Sequence, residues 1–331
     1  MPGASRRLLL PLLSFLAPGC AENTPMNTLM ARSDYARSIS DLYWLVTWIT
    51  LAIAVAVLIT LVAFLVRFRE RPDRPLPPQT VGHTALEIAW TVAPALVLLG
   101  ITIPTIHVAF RTQPRMAPPG SLAVTVVAHQ WWWEFRYPEL GVVTANELHL
   151  PAGRPVALKL TGADVIHSFW VPQLGGKRDV VPGRTNWINL TPEVPGEYWG
   201  QCAEFCGTAH ANMRLRVLVE PPAAFERWIE VQRLPAAEPT GPASEGRRIF
   251  AGTACVGCHT IRGVSAGVLG PDLTHFASRH TFAAGLFPNA VEHVARWIHD
   301  PAQLKPGAKM PRLGLTDAEA RAIATYLETL K

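Results

Sequence analysis

The stretch Cys202-Ala-Glu-Phe-Cys206-Gly-Thr-Ala-His210-Ala-Asn-Met213 places two thiols, an imidazole and a thioether within twelve residues. A second imidazole, that of His167, lies thirty-five residues before Cys202. Soft ligands of this kind favour copper over magnesium, calcium or manganese. A single blue-copper site needs two His, one Cys and a weak Met, so one thiol would be superfluous there. Two bridging thiolates with one His on each metal suit a two-copper cluster, and the spacing therefore predicts a centre that carries electrons.

Two other interpretations of these cysteines are open from the residues alone. In an oxidising compartment, Cys202 and Cys206 could form a disulfide. Together with His167 and His210 they could instead form a tetrahedral zinc site. Neither interpretation accounts for Met213.

A second metal site is predicted near the other end of the chain. Cys255-Val-Gly-Cys258-His259 is the attachment signature for c-type haem, with two thiols for thioether bonds and an adjacent axial imidazole. A redox Cys-x-x-Cys pair is the alternative. Met310 is the one methionine of six that follows this motif, and its Gly-containing loop suits a sixth iron ligand. Four histidines compete for that role: His275, His280, His293 and His299.

The segments around the first site resemble subunit II of cytochrome c oxidase. They are Asp164-Val-Ile-His167-Ser-Phe-Trp170, Val180-Val-Pro-Gly183-Arg184 and Gly200-Gln-Cys202-Ala-Glu204-Phe-Cys206-Gly-Thr-Ala-His210-Ala-Asn-Met213. The resemblance implies a dinuclear copper centre, CuA, in which Cys202 and Cys206 bridge both metals. It makes His167 and His210 ligands of one copper each. It also implies that Met213 and the Glu204 carbonyl are weak axial ligands, and that the Glu204 carboxylate binds magnesium at the boundary with subunit I.

Two further residues take a role from the same resemblance. The three adjacent tryptophans at 131–133 are typical of core and interface packing, but the family implies that electrons enter at Trp131. Glu87 lies in Leu86-Glu-Ile-Ala-Trp90-Thr-Val-Ala-Pro94, which is similar to the second helix of the family. There it marks the mouth of a proton path into subunit I. A carboxylate at that position could also simply reach interfacial water.

The composition indicates a membrane-anchored chain, since apolar residues make up 49% and charged residues 17% of the 331 residues. Residues 42–66 and 86–108 are each long enough to cross a bilayer, which takes about 20 apolar residues. The loop between them is rich in arginine and is therefore predicted to be cytoplasmic. Two crossings then place both metal sites on the exported side.

The segment 121–220 alternates short β-type runs with Pro and Gly turns, which indicates a Greek-key β-sandwich or barrel. The resemblance implies a cupredoxin-like fold for it, with the ligand loop between the last two strands. Residues 235–243 are rich in proline and are predicted to be a fairly extended linker. Residues 244–331 resemble a cytochrome c domain, in which the Pro271 carbonyl orients the axial His259, and Thr316 with Glu319 predicts a capping box.

The predicted fold class is a multidomain membrane protein with a two-helix transmembrane hairpin, a cupredoxin-like Greek-key β-barrel and an all-α cytochrome c domain. The segments are a signal peptide at 1–20, an exported segment at 21–41, the transmembrane hairpin at 42–110, the CuA domain at 111–220, a helix and Pro-rich linker at 221–243 and the cytochrome c domain at 244–331. Gly19-Cys20 after the apolar run resembles a lipoprotein cleavage site, and an ordinary signal or an uncleaved leader is the alternative.

The resemblance implies the electron-receiving subunit II of a caa-type respiratory oxidase, a translocase in a bacterial inner membrane with its metal domains in the periplasm. Electrons would pass from haem c through CuA to subunit I, where dioxygen is reduced to water and protons are pumped. Subunits I and III, a donor cytochrome or upstream complex and membrane lipid are the implied partners, and no feature indicates nucleic-acid binding. A CuA-bearing nitric oxide reductase subunit, or a membrane-anchored copper carrier without a catalytic partner, is the alternative. A quinol oxidase subunit would lack the copper ligands.

Overall fold

The computed structural model describes residues 24–72, 79 and 81–331. The predicted leader with Cys20 lies outside the described residues, as do residues 73–78 and 80 of the loop between the apolar segments.

Two long helices carry the apolar segments, α1 at Asp34–Arg67 and α2 at Thr84–Arg111. Both are long and apolar enough to span a membrane, and the most apolar window of each is not covered by the rest of the chain. Helix α1 begins before the apolar segment because Ser33 caps it, accepting a hydrogen bond from the backbone N–H of Ala36.

The beginning of α1 is attached to the part of the chain that follows α2. The Ser33 hydroxyl donates to the carbonyl of Leu174 at 2.7 Å, and the Asp34 carboxylate accepts from the N–H of Thr191 at 2.6 Å. The ring of Tyr35 lies so close to Gly175 that a Cβ there would be 2.0 Å from its Cδ1 atom. These contacts fix the helix pair to the β-structure at the end predicted to face the exported side.

Residues 122–220, the β domain, form two five-stranded sheets in the orders β3-β2-β1-β5-β8 and β4-β10-β9-β6-β7. The strands are β1 Leu122–His129, β2 Trp132–Tyr137, β3 Val142–Ala145, β4 Glu147–Pro151, β5 Val156–Gly162, β6 His167–Trp170, β7 Arg178–Val180, β8 Asn186–Leu190, β9 Gly196–Cys202 and β10 Arg214–Glu220. Each sheet contains one parallel pair, β1 with β5 and β4 with β10, so the chain crosses between the sheets. One apolar core takes residues from both sheets. The expected cupredoxin-like architecture is confirmed.

After helix α3 (Pro222–Arg233), residues 242–331 form the helical domain. Its helices are α4 Pro242–Ala251, α5 Cys255–Cys258, α6 Val291–His299, α7 Pro301–Leu304 and α8 Asp317–Leu327. Two strand pairs of two residues per strand accompany them, β11 Thr260–Ile261 with β12 Ser265–Ala266 and β13 Thr281–Phe282 with β14 Phe287–Pro288. The helical character expected of this domain is confirmed, with these two short hairpins in addition. The predicted capping box of Thr316 and Glu319 is also confirmed.

The first and last helices of the helical domain, α4 and α8, cross at Gly246. A Cβ at this position would be 2.0 Å from the carbonyl oxygen of Ala322 and 2.8 Å from the Cβ of Tyr326. The sequence therefore needs glycine at 246 because the backbone of α8 occupies the space that a side chain would take.

We expect Gly246→Ala to lower the free energy of unfolding of the helical domain by about 1–3 kcal/mol, because an added methyl overpacks the crossing. Thermal unfolding of the metal- and haem-loaded chain, followed by circular dichroism, measures the change. Arg248→Ala on the same helix is the control, since its side chain is exposed and pairs with Glu245 of its own helix. Equal melting shifts for the two variants would contradict the proposed close approach.

Candidate functional site

The loop between the last two strands of the β domain carries the cysteine ligand set. Strand β9 ends at Cys202 and β10 begins after Met213, and the backbone N–H of Cys202 donates to the carbonyl of Met213 at 2.9 Å. His167 opens the neighbouring strand β6, in which Phe169 is the register partner of Cys202. The sheet ladder thus brings together two candidate ligands that are thirty-five residues apart in the chain.

The two sulfur atoms lie side by side without a bond. The Sγ atoms of Cys202 and Cys206 are 3.7 Å apart and both cysteines are free, whereas a disulfide requires about 2.05 Å. His167 Nδ1 is 3.8 Å from Cys202 Sγ, and His210 Nδ1 is 3.5 Å from Cys206 Sγ. The thiol pair therefore lies between two imidazoles, one for each sulfur.

Two further donors complete the set. Met213 Sδ is 3.9 Å from Cys206 Sγ and the residue is fully buried, and the carbonyl oxygen of Glu204 is 3.2 Å from Cys202 Sγ. A tetrahedral zinc site would use two thiols and two imidazoles and leave the thioether without a role. Since Met is a soft ligand that suits copper, the residues present fit a copper centre better than a zinc site.

The thiols titrate as a coupled pair. The neighbouring Cys206 thiol lowers the pKa of Cys202 most strongly, and the hydrogen bond with His167 adds to this effect. Through the same coupling, the pKa of Cys206 is raised. The first proton therefore leaves this pair more readily than the second, and binding of a metal by both thiolates would release protons.

Asp164 orients His167, a role that the sequence interpretation did not assign. Its carboxylate lies 2.8 Å from His167 Nε2 and accepts from the backbone N–H of Gln130 at 2.6 Å. Burial works against ionisation of Asp164, but the hydrogen bond to His167 and those from the backbone lower its pKa overall. A carboxylate on the distal nitrogen fixes the ring orientation and leaves Nδ1 facing the thiols. Its place three residues before His167 was the signal that could have identified it.

The three tryptophans have three different environments. Trp133 is fully buried and packs edge-on against His167, while Trp132 stacks on His129 at 4.3 Å between ring centroids. Trp131 is half-buried, and its indole N–H donates to the carbonyl of Cys206 at 3.0 Å. The side-chain amide of Gln130 donates to the same carbonyl at 2.8 Å. One hydrogen bond therefore joins the Trp131 indole to the backbone of the candidate ligand Cys206.

The haem motif lines a cavity of about 530 Å³ that residues of both domains enclose. Cys255, Cys258, His259 and Met310 lie on its wall in the helical domain, and Trp131 lies on its wall in the β domain. Most of the lining is apolar, as a haem pocket requires. Among the described residues that line the cavity, none is one of the four histidines that compete with Met310.

His259 is prepared to bind a metal through one nitrogen. Its Nδ1 atom lies 2.8 Å from the carbonyl oxygen of Pro271, and burial lowers its pKa, so that the ring is neutral and its Nε2 atom is the acceptor. A Cβ at Gly270 would be 2.6 Å from His259 Cε1, so glycine is needed where this loop passes the ring. The set of two thiols, one neutral imidazole and one thioether in an apolar cavity fits a c-type haem.

Glu87 lies apart from these residues, in the first turn of α2. It is exposed, and its carboxylate accepts from the backbone N–H of His83 at 3.3 Å. Glu204 is exposed as well, so its carboxylate is available to solvent while its carbonyl faces Cys202.

Three family profiles match the chain. The profile described as cytochrome C oxidase subunit II, transmembrane domain, matches residues 21–108, the periplasmic domain of the same subunit matches 142–220, and cytochrome c matches 243–331. A cytochrome c oxidase subunit 2 of Alkalihalophilus pseudofirmus is 35% identical and covers 99% of this chain and 97% of its own. The cytochrome c oxidase subunit 2 of Bacillus subtilis is 33% identical and covers 98% of this chain and 97% of its own. A quinol oxidase subunit 2 of Bacillus cereus is 32% identical over 58% of this chain and 69% of its own.

We expect Asp164→Asn to weaken copper binding by about 10- to 100-fold, because the amide no longer holds the His167 ring as a carboxylate does. Equilibrium competition for copper between the purified chain and a chelator measures the change in affinity. Asp179→Asn is the matched control, since Asp179 is exposed on strand β7 next to β6. An equal copper affinity of both variants would show that Asp164 does not support His167.

Proposed function

The chain belongs to the cytochrome c oxidase subunit II family, and from this membership we propose that it carries electrons from a c-type haem in its helical domain to a dinuclear copper centre in its β domain and then to a partner subunit. The proposed partner is the haem-copper subunit I, which would reduce dioxygen to water and pump protons. A reduced donor cytochrome or an upstream complex would supply the electrons. The intact CuA ligand set, rather than the fold, is the observation that carries this proposal.

The copper ligands are proposed to be His167, Cys202, Cys206, His210 and Met213 with the Glu204 carbonyl. Copper bound by these residues would supply a reversible one-electron change with little rearrangement of its ligands. The residues support this chemistry because they are held before the metal arrives: Cys202 and His167 lie on paired strands, and the Cys206 carbonyl accepts two hydrogen bonds. These ligands would leave no open metal position for a substrate, so the centre would be a relay rather than a catalytic site.

The haem ligands are proposed to be Cys255 and Cys258 through thioether bonds and His259 and Met310 at the iron. Haem c would supply a one-electron change at the raised potential that Met and His ligation gives. The chain's own contribution is an apolar cavity and a neutral His259 oriented by the Pro271 carbonyl. Trp131, which touches both the cavity and the Cys206 peptide, would be the residue through which electrons enter the copper site.

Several finer assignments remain part of the proposal. Glu87 is proposed to stand at a proton path into subunit I, and the exposed Glu204 carboxylate to bind magnesium at the boundary with that subunit. We also propose that the helix pair contacts subunit III and lipid, and that the chain lies in a bacterial inner membrane with its metal domains in the periplasm. A leader ending near Cys20 and domain limits at 41, 110, 220 and 243 are proposed as well. Exposed apolar side chains on α1 and α2 support a docking role for that pair.

Removal of one bridging thiol tests the proposal. We expect Cys206→Ser to abolish copper binding and oxygen uptake by the purified complex with reduced cytochrome c, while the covalent haem content stays unchanged because its cysteines lie in another domain. Oxygen uptake with metal and haem analysis on one sample measures all three. Cys20→Ser, which alters the one remaining cysteine, is the control and should retain copper, haem and uptake.

Oxygen uptake by the Cys206→Ser complex at the unchanged rate would contradict the proposal. Consumption of nitric oxide in place of oxygen by the unsubstituted complex would assign the relay to a nitric oxide reductase. A loaded chain that purifies without a haem-rich membrane partner would assign it to a carrier.

A further inference from the structure

We propose that Glu147 and Lys305 are positioning residues that hold the helical domain on the β domain in one register, with Trp131 enclosed between the cavity and the copper ligands. The inference rests on the proposed function, since it concerns the passage between the two sites. It assigns the docking to two buried polar groups that cross the domain boundary in opposite directions.

Lys305 reaches from the helical domain to the β domain. Its side chain follows α7 and is almost fully buried, and its Nζ atom donates to the carbonyl of Trp131 at 2.7 Å and to that of Ala283 at 3.3 Å. Burial lowers the pKa of Lys305 to about 7, and backbone carbonyls accept from an amine as well as from an ammonium. A buried donor with two acceptors in fixed places stabilises only one relative position of the two domains.

Glu147 reaches in the other direction. It opens β4 and is 1% exposed, and its carboxylate accepts from the backbone N–H groups of His280 and Thr281 at 3.1 and 2.9 Å. The Thr281 hydroxyl donates to the same carboxylate at 3.1 Å. If the domains separated slightly, the Glu147 carboxylate would lose its three hydrogen bonds from the other domain. It would then be either buried without partners, which is costly, or hydrated, which the packed boundary does not allow.

Both contacts converge on the hairpin at 281–288, whose residues 281–284 form part of the cavity wall. Thr281 at its start is held by Glu147, and the carbonyl of Ala283 is held by Lys305. The carbonyl of Ala284 accepts from the N–H of Arg214 at 3.2 Å, and Arg214 directly follows the proposed ligand Met213. The wall of the haem-motif cavity is therefore hydrogen-bonded to β10, the strand that follows the proposed copper ligands.

The same docking covers Trp131. A Cβ at Gly307, where the backbone φ is +87°, would be 3.1 Å from the indole Cζ3 atom. Gly307 is thus required both by its conformation and by the closeness of the indole. With the domains docked, a soluble cytochrome could not approach this face of Trp131. Electrons would have to enter through the helical domain.

The test compares two double variants of the complex with its metal and haem bound. One carries Glu147→Gln and Lys305→Met, and the matched control carries Glu197→Gln and Lys309→Met. Glu197 and Lys309 also face the other domain, 3.5 Å from His280 and 2.8 Å from Gln130, but both are partly or fully exposed. Thr281→Val, which removes one hydroxyl donor and keeps the N–H, is a milder substitute if the double variant does not accumulate.

Two measurements are made on each complex. Amide hydrogen exchange of residues 214–216 and 280–284 reports docking directly, and rapid mixing with a soluble ferrous cytochrome c reports the order in which haem and copper are reduced. We expect faster exchange and transfer from haem to copper slower by about tenfold or more in the double variant, since buried groups lose their partners. Direct reduction of copper should become faster, which a merely misfolded chain would not show. The control pair should change by less than about twofold.

Unchanged exchange and an unchanged order of reduction in both the double variant and Thr281→Val would overturn the inference. Failure of haem-to-copper transfer in the unsubstituted complex, with strong exchange protection at 280–284, would instead contradict the proposed function and leave the docking intact. The two failures are therefore distinguishable.

Discussion

The two sulfur atoms of Cys202 and Cys206, held 3.7 Å apart without a bond, are the constraint on which the rest of the structure depends. Cys202 ends a strand and takes its position from the ladder with β6. Cys206 lies in the following loop, where its carbonyl is held by Gln130 and Trp131. A ligand loop fixed on both sides by the β domain would leave the proposed copper centre little to rearrange on reduction.

That fixation extends beyond the β domain, because Trp131 is held from the opposite side by the helical domain. The amine of Lys305 binds its carbonyl, and Gly307 lies against its ring. The cavity that contains the haem motif is closed by the same contact, so the two sites share one wall rather than facing each other across solvent. Fusion of the domains thus does more than raise the local concentration of a donor, since the boundary has a defined register.

The sequence predicts the two apolar helices and the helical character of the last domain, because hydropathy and local spacing determine both. The candidate ligands are predicted from their spacing in the same way. Thr316 and Glu319, the two ends of a four-residue stretch, are enough to predict the start of a helix. Glu147 and Lys305 could not be predicted in the same way. Thr281, a partner of Glu147, and Trp131, the partner of Lys305 across the boundary, are 134 and 174 residues distant, and a Glu or Lys in a polar or mixed segment is ordinarily exposed. The proline-rich linker likewise predicts an extended spacer, and it does not indicate that the β domain and the helical domain bury polar groups against each other.

The most direct test of the account is the metal content of the β domain in the fully matured chain, measured together with copper electron paramagnetic resonance. The account predicts two coppers for each chain and a signal from one unpaired electron shared equally by both metals. One zinc ion, a single copper, or two coppers with separate signals would contradict it.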